Sequence, residues 1–158
     1  KPLFTLPEPI IDNDEKIVPG LDGRKMSKSY NNVIPLLGSD KKLKKSIMKI
    51  VTNSLEPGEP KDFNDCTVFE LYKYFANADE INEFKTAYEE GISWGDAKDK
   101  LFNVINAELL PIRSKYEDLI NDPDYWNDVL GDGAKKARTL AQEKIEKVKE
   151  VIGLTKIS

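Results

Sequence analysis

From Asp40 onward, apolar residues recur every three or four positions, the spacing that puts them on one side of an α-helix. In the first such stretch Leu43, Ile47, Ile50 and Val51 share a face, Lys41, Lys42, Lys45 and Lys49 lie opposite, and Asp40 is the expected N-cap. Residues 52–64 contain Pro57, Gly58 and Pro60 and read as an ordered loop. Thr67 is then expected to cap a helix bearing Val68, Leu71, Tyr72 and Phe75. Asp79 opens another with Ile81, Phe84 and Tyr88, closed by Gly91. The longest predicted helix starts at Ser93, with Leu101, Ile105, Leu109, Ile112, Tyr116 and Leu119 as its stripe. Pro111 should kink it, because proline removes a backbone hydrogen bond and crowds the preceding turn. Asp122-Pro123 predicts the start of a short helix with Tyr125, Trp126, Val129 and Leu130 that ends near Gly131. A last helix is predicted from about Gly133 to Ile152, burying Ala137, Ala141, Ile145, Val148 and Ile152.

The first twenty residues read differently. Pro2, Pro7, Pro9 and Pro19 break any helical period, and Lys16-Ile17-Val18 is the one candidate for a short strand end. A loop follows from Gly20 to Ser29, marked by the Asp22-Gly23 turn signal and by two glycines that permit unusual backbone angles. No clear strand follows residue 20. The expected fold is mainly α, a helical bundle.

The 158 residues allow one ordinary domain, or one domain with the edge of another, and 39% apolar residues are enough for a packed core. No apolar run approaches the ~20 residues of a membrane span, and no signal-peptide pattern opens the chain, so a cytoplasmic location without membrane contact is expected. Cys66 is the single cysteine, which excludes an internal disulfide and a cysteine-rich zinc site; it is expected to be a small buried residue. The chain has no histidine, so imidazole acid–base chemistry, Ser-His-Asp triads and His-ligated metals are all impossible within it. A net charge of -4 argues against general nucleic-acid binding, yet the charge is uneven. Eight basic residues stand against Asp40 between Arg24 and Lys49, the middle is acidic, and residues 134–149 turn basic again. Such faces are most simply solvated, but two basic patches also suit an anionic partner touched at two places. Trp94 and Trp126 read as core or cap aromatics rather than stacking platforms.

Lys25-Met26-Ser27-Lys28-Ser29 is the feature with chemical content. Ordinary residue frequencies give roughly one chance in ten thousand of meeting KMSKS by accident in such a chain. Two lysines on long stems are mobile point charges suited to a phosphate leaving group, and serine hydroxyls and loop amides add donors. Glycines, lysines and serines offer few buried contacts, so the loop is expected to be mobile and to close on its ligand.

With its flanks, Val18-Pro19-Gly20-Leu21-Asp22-Gly23-Arg24 before and Tyr30-Asn31-Asn32 after, the motif resembles the class I aminoacyl-tRNA synthetases. The segments 52–62, Pro111-Ile112-Arg113-Ser114-Lys115-Tyr116 and Gly133-Ala134-Lys135-Lys136-Ala137-Arg138 narrow the resemblance to the bacterial tryptophanyl-tRNA synthetase family. It covers essentially the whole chain. It implies a C-terminal portion of such an enzyme: residues 1–32 as the end of a Rossmann-like catalytic domain with the KMSKS loop, and 33–158 as a helical tRNA- and anticodon-binding domain. The family's HIGH-type signature and tryptophan pocket would lie in the missing half, so the chain alone is expected to be inactive. In the intact enzyme the family activates tryptophan with ATP to tryptophanyl-adenylate and transfers it to tRNA(Trp). The resemblance gives Lys25 and Lys28 the catalytic role, and ATP contacts to Ile17, Val18, Lys25, Met26, Ser27, Lys28 and Ser29. Mg2+ is expected with ATP rather than in a protein site, and the full-length enzyme is expected to be a homodimer. Arg113, Lys135, Lys136 and Arg138 are the residues expected to touch tRNA. The tyrosine enzyme is the nearest rival reading, and a free-standing helical RNA-binding module in which KMSKS is a vestige is the other.

Overall fold

The computed structural model describes residues 3–10 and 17–154, and its regular structure is helical, as the apolar spacing predicts. One turn of 3-10 helix at Lys28–Tyr30 precedes α1 (Asp40–Ile47), α2 (Thr67–Lys73), α3 (Ala78–Glu89), α4 (Trp94–Ile120) and α5 (Pro123–Val151). The expected strand end does not form: Ile17 and Val18 carry no strand, and Lys16 lies outside the described residues. Among the described residues the extended pairing is one isolated antiparallel bridge between Pro19 and Lys25. The chain divides into two compact units, Asp12–Tyr116 and Lys1–Ile11 with Glu117–Ser158.

The core of the Asp12–Tyr116 unit gathers Leu43 and Ile47 of α1, Val68 and Leu71 of α2, Phe84 and Tyr88 of α3, and Leu101 and Ile105 of α4. Tyr88 sits at its centre. The rings of Phe69, Phe84 and Trp94 meet it edge-on at 5.5, 4.9 and 5.9 Å, the arrangement that aromatic quadrupoles favour. Its hydroxyl lies 3.3 Å from the sulfur of Cys66, which is buried as expected. Burial, and then that contact, pushes the phenol pKa upward, so the hydroxyl keeps its proton at neutral pH.

The loop at 52–64 is ordered because it docks on the end of α3. Gly91 takes φ +85°, and a Cβ there would collide with the backbone of Gly58, whose N–H donates to the Gly91 carbonyl at 2.8 Å. Lys61, only 3% exposed, donates its ammonium to the carbonyls of Glu56 and Glu59 at 2.8 and 2.9 Å and lies 5.6 Å from the Trp94 ring. A buried lysine is tolerable when its donors are used, and here the loop backbone folds around one.

Helix starts differ from expectation by one or two residues. Ser39, not Asp40, caps α1, accepting from the Lys42 amide; Cys66, not Thr67, precedes α2 and makes no side-chain cap bond. Asn77, not Asp79, caps α3: its side-chain oxygen accepts from the Asp79 and Glu80 amides, and the Glu80 carboxylate accepts from the Asn77 N–H, completing a capping box. In each case the residue picked from the sequence is already helical. Ser93 does start α4 as predicted, its hydroxyl accepting from the Asp96 amide at 3.0 Å.

The largest corrections concern the second half. The helix runs on through Pro111 to Ile120, but the buried stripe stops at Leu109: Ile112 and Tyr116 are exposed, and Arg113 is the buried residue of that turn. Val51 is exposed too, because α1 has ended and its period no longer applies. The break expected near Gly131 is absent, so α5 is a single helix and longer than α4. A helical glycine costs about 1 kcal/mol, which the strong helix formers around Gly131 and Gly133 outweigh. The stripe of Ala137, Ala141, Ile145, Val148 and Ile152 is not buried; Val148 is half-buried and the others are exposed. Periodicity marks the face a helix would pack, not whether a partner is there.

Arg113 is 5% exposed and joins α4 to the start of α1. It pairs with Asp40 at 2.6 Å, donates to the Gly38 carbonyl at 3.3 Å and donates to the Asn106 side chain. Core and α5 substitutions should separate cleanly. Ile105→Ala, at a fully buried site, is expected to lower the stability of the chain by about 3 kcal/mol. Leu140→Ala, at a site 72% exposed, should change it by less than about 0.5 kcal/mol in urea denaturation.

Candidate functional site

The loop bearing KMSKS begins as a narrow turn. The Met26 amide donates to the Val18 carbonyl at 2.9 Å and the Gly20 amide to the Arg24 carbonyl at 2.7 Å, while Gly23 at φ +79° takes the left-handed corner. Ser27 then caps the 3-10 turn, its hydroxyl accepting from the Ser29 amide at 3.2 Å, so Lys28 stands at the first helical position. Leu21 and Met26 pack against the core, and the Val51 amide donates to the Leu21 carbonyl at 3.0 Å. The loop is thereby fastened to the helical body.

Its hub is Asn32, 3% exposed. The side-chain amide donates to Asp22 Oδ1 at 2.7 Å and to the Lys25 carbonyl at 3.2 Å, and its oxygen accepts from the Ser27 amide at 2.8 Å. The Asn32 carbonyl accepts from the Leu21 amide at 2.9 Å. Asp22 also holds Arg24, 2.7 Å away, whose guanidinium lies 4.6 Å from the centre of the Tyr30 ring. The bond from Asn32, followed by that from Arg24, lowers the Asp22 pKa from 3.8 to about 2.

Against this frame the expected nucleotide-contacting residues separate into two groups. Lys25 and Lys28 are exposed and make no ion pair among the described residues, and Ser29 and Ile17 are also exposed. Ser27 is half-buried, and Met26 turns its side chain into the core, spacing the two lysines. Val18 is exposed, with its carbonyl taken up by Met26. The expectation that the glycines, lysines and serines of this loop have few buried contacts matches the exposed Lys25, Lys28 and Ser29, whereas Gly20 is buried against Asn32. Sequence reasoning passed over Asn32 and Asp22; the available signal was an amide and a carboxylate bracketing a segment full of backbone donors. It passed over Lys61 as well, for which composition gives no signal.

The residues expected to meet tRNA also divide. Arg113 has its guanidinium committed to Asp40, Gly38 and Asn106, which makes it a strut within the bundle. Lys135, Lys136 and Arg138 are exposed on α5; Lys135 lies 3.2 Å from Asp132, one turn away, a pairing weak enough to be exchanged.

The family profile described as tRNA synthetases class I (W and Y) matches residues 1–110. The chain belongs to this family. It is 48% identical over 152 residues to a tryptophan–tRNA ligase of Neisseria meningitidis serogroup A, covering 96% of this chain and 45% of that protein. A tryptophan–tRNA ligase of Fusobacterium nucleatum is also 48% identical, with 96% and 46% covered. The solved tryptophanyl-tRNA synthetase of Campylobacter jejuni complexed with ADP and tryptophan superposes with a TM-score of 0.82 at 41% identity, covering 96% of this chain and 48% of that one. The chain thus spans under half the length of these relatives.

The Asp22 shift fixes a pH dependence. A carboxylate with a depressed folded-state pKa contributes stability above its unfolded value, 3.8, and loses it as pH falls through about 2. The NMR shifts of the Asn32 side-chain amide are therefore expected to stay constant from pH 7 to near 4 and to titrate with a midpoint near 2. A midpoint at the ordinary value would mean that the bracket is not formed.

Proposed function

We propose that this chain is the C-terminal part of a tryptophan–tRNA ligase, which joins tryptophan to ATP as tryptophanyl-adenylate and passes the tryptophanyl group to tRNA(Trp). The observation that carries the reading is a KMSKS loop with two exposed ammonium groups, without an ion pair among the described residues, on a braced backbone. Relatives at 48% identity that are tryptophan–tRNA ligases support tryptophan over tyrosine. Residues 1–32 would complete the catalytic domain and 33–158 form the helical tRNA-binding part, with the tryptophan pocket in the other half of the enzyme. The full-length protein is read as a cytoplasmic homodimer.

In the activation step the tryptophan carboxylate attacks the α-phosphorus of ATP, the bond to the bridging oxygen breaks, and pyrophosphate leaves with the charge. Lys28, and Lys25 with it, follow that charge on flexible stems, and one well-placed donor of this kind is typically worth about 3 kcal/mol in the transition state. The Ser27 hydroxyl already accepts from the Ser29 amide, so its proton is free to point outward to a phosphate oxygen. The backbone at Ile17 and Val18 would lie against adenine. Magnesium would arrive with the triphosphate, and the chain's own contribution is its ammonium groups. On α5, Lys135, Lys136 and Arg138 present the cationic face for tRNA.

In the full-length enzyme, Lys28→Ala is expected to lower adenylate formation ten-fold or more in ATP–pyrophosphate exchange, with tryptophan affinity nearly unchanged. A rate within two-fold of the parent would remove Lys28 from the reaction. Replacing Lys135 and Lys136 together by glutamate should weaken tRNA(Trp) binding and flatten its dependence on salt, since fewer phosphate contacts release fewer counterions. Filter binding at two salt concentrations reads both effects, and unchanged binding would return α5 to solvent.

A further inference from the structure

The KMSKS pentapeptide is held by residues outside it. Tyr30, Arg24, Asp22 and Asn32 form a continuous bracket around residues 25–29: ring against guanidinium, guanidinium against carboxylate, carboxylate against amide. Only the last member is buried, and both donors of its amide and its one side-chain oxygen are in use.

Resting on the function proposed above, we infer that Asn32 is the positioning residue for Lys28. It fixes the Lys25 carbonyl and the Ser27 amide, so that Ser27 can cap the turn that starts at Lys28. The Asn32 side chain bonds to the backbone of Lys25 and Ser27 and to Asp22, so it acts on the lysines through the backbone. The position demands an amide of this length. Aspartate would set a second carboxylate against Asp22 and lose both donors, and an apolar residue would strand the Ser27 N–H and the Lys25 carbonyl. Gly20 completes the fit, because a Cβ at that position would collide with the Asn32 amide. Concentrating the loop's geometry on one buried amide also leaves the outer surface of the pentapeptide free, with Lys25, Lys28 and Ser29 all exposed.

A double-mutant cycle in the full-length enzyme tests this by ATP–pyrophosphate exchange. Asn32→Ala and Asn32→Asp are each expected to lower kcat ten-fold or more, with the KM for tryptophan within two-fold of the parent. In a Lys28→Ala background the same substitutions should cost less than two-fold further, because the group they position is gone. Should Asn32→Ala fail to fold, Asn32→Ser, whose shorter hydroxyl keeps a polar group at the site without the reach of the amide, carries the same cycle. A full ten-fold loss persisting in the Lys28→Ala background overturns the inference while leaving Lys28 in the reaction. Parental activity in Asn32→Ala overturns it as well. Parental activity in Lys28→Ala would instead overturn the proposed function, and this inference with it.

Discussion

The burial of Tyr88 among Phe69, Phe84 and Trp94 is the packing constraint from which the Asp12–Tyr116 unit is built. Large rings remove more water-exposed surface per residue than any other side chain, and their edge-on contacts fix how helices meet. Residues on α2, α3 and α4 are held to one another there, and the backbone of the same residue receives the loop: the Lys61 amide donates to the Tyr88 carbonyl at 2.9 Å. Leu21 and Met26 pack against the same cluster. The KMSKS loop is thus an outgrowth of a close-packed body, even though none of the pentapeptide's own residues is fully buried.

Geometry and charge are carried by different side chains. Buried polar groups held by hydrogen bonds, Asn32 in the loop, Lys61 in the 52–64 segment and Arg113 against the start of α1, set where the backbone runs. Lys25 and Lys28 are exposed and make no ion pair among the described residues, so their charge faces solvent. This division follows from the cost of burying an ammonium group, which is tolerable only where carbonyls or a ring replace water, as they do around Lys61. A lysine so placed is a structural part, and one left in solvent remains available.

The Lys1–Ile11 and Glu117–Ser158 unit has another character. No residue of α5 is buried, and its apolar positions stand open alongside its lysines. Lys144 of α5 donates to the Leu3 carbonyl at 3.0 Å and lies 5.8 Å from the Phe4 ring, and the relatives are more than twice as long as the stretch this chain matches in them.

The sequence by itself determined the helical class, the position of nearly every helix, the face of α1 through α4 that goes inward as far as Leu109, and the place of the KMSKS motif. These are local properties: period, turn residues and a short motif are written in neighbouring positions. It misplaced the caps of α1, α2 and α3 by one or two residues: Ser39 and Asn77 stand close to Asp40 and Asp79, which have similar capping propensity, and only the hydrogen bond formed tells them apart, while Cys66 precedes α2 with no side-chain cap bond to mark it. Tertiary structure alone decided that Arg113 is a strut rather than a surface cation, that Lys61 is buried, that α5 is one uninterrupted helix with no buried residue, and that Asn32 is the amide on which the loop turns. Each depends on groups brought together from distant parts of the chain or on the absence of a packing partner, and the spacing of residues along a sequence holds neither.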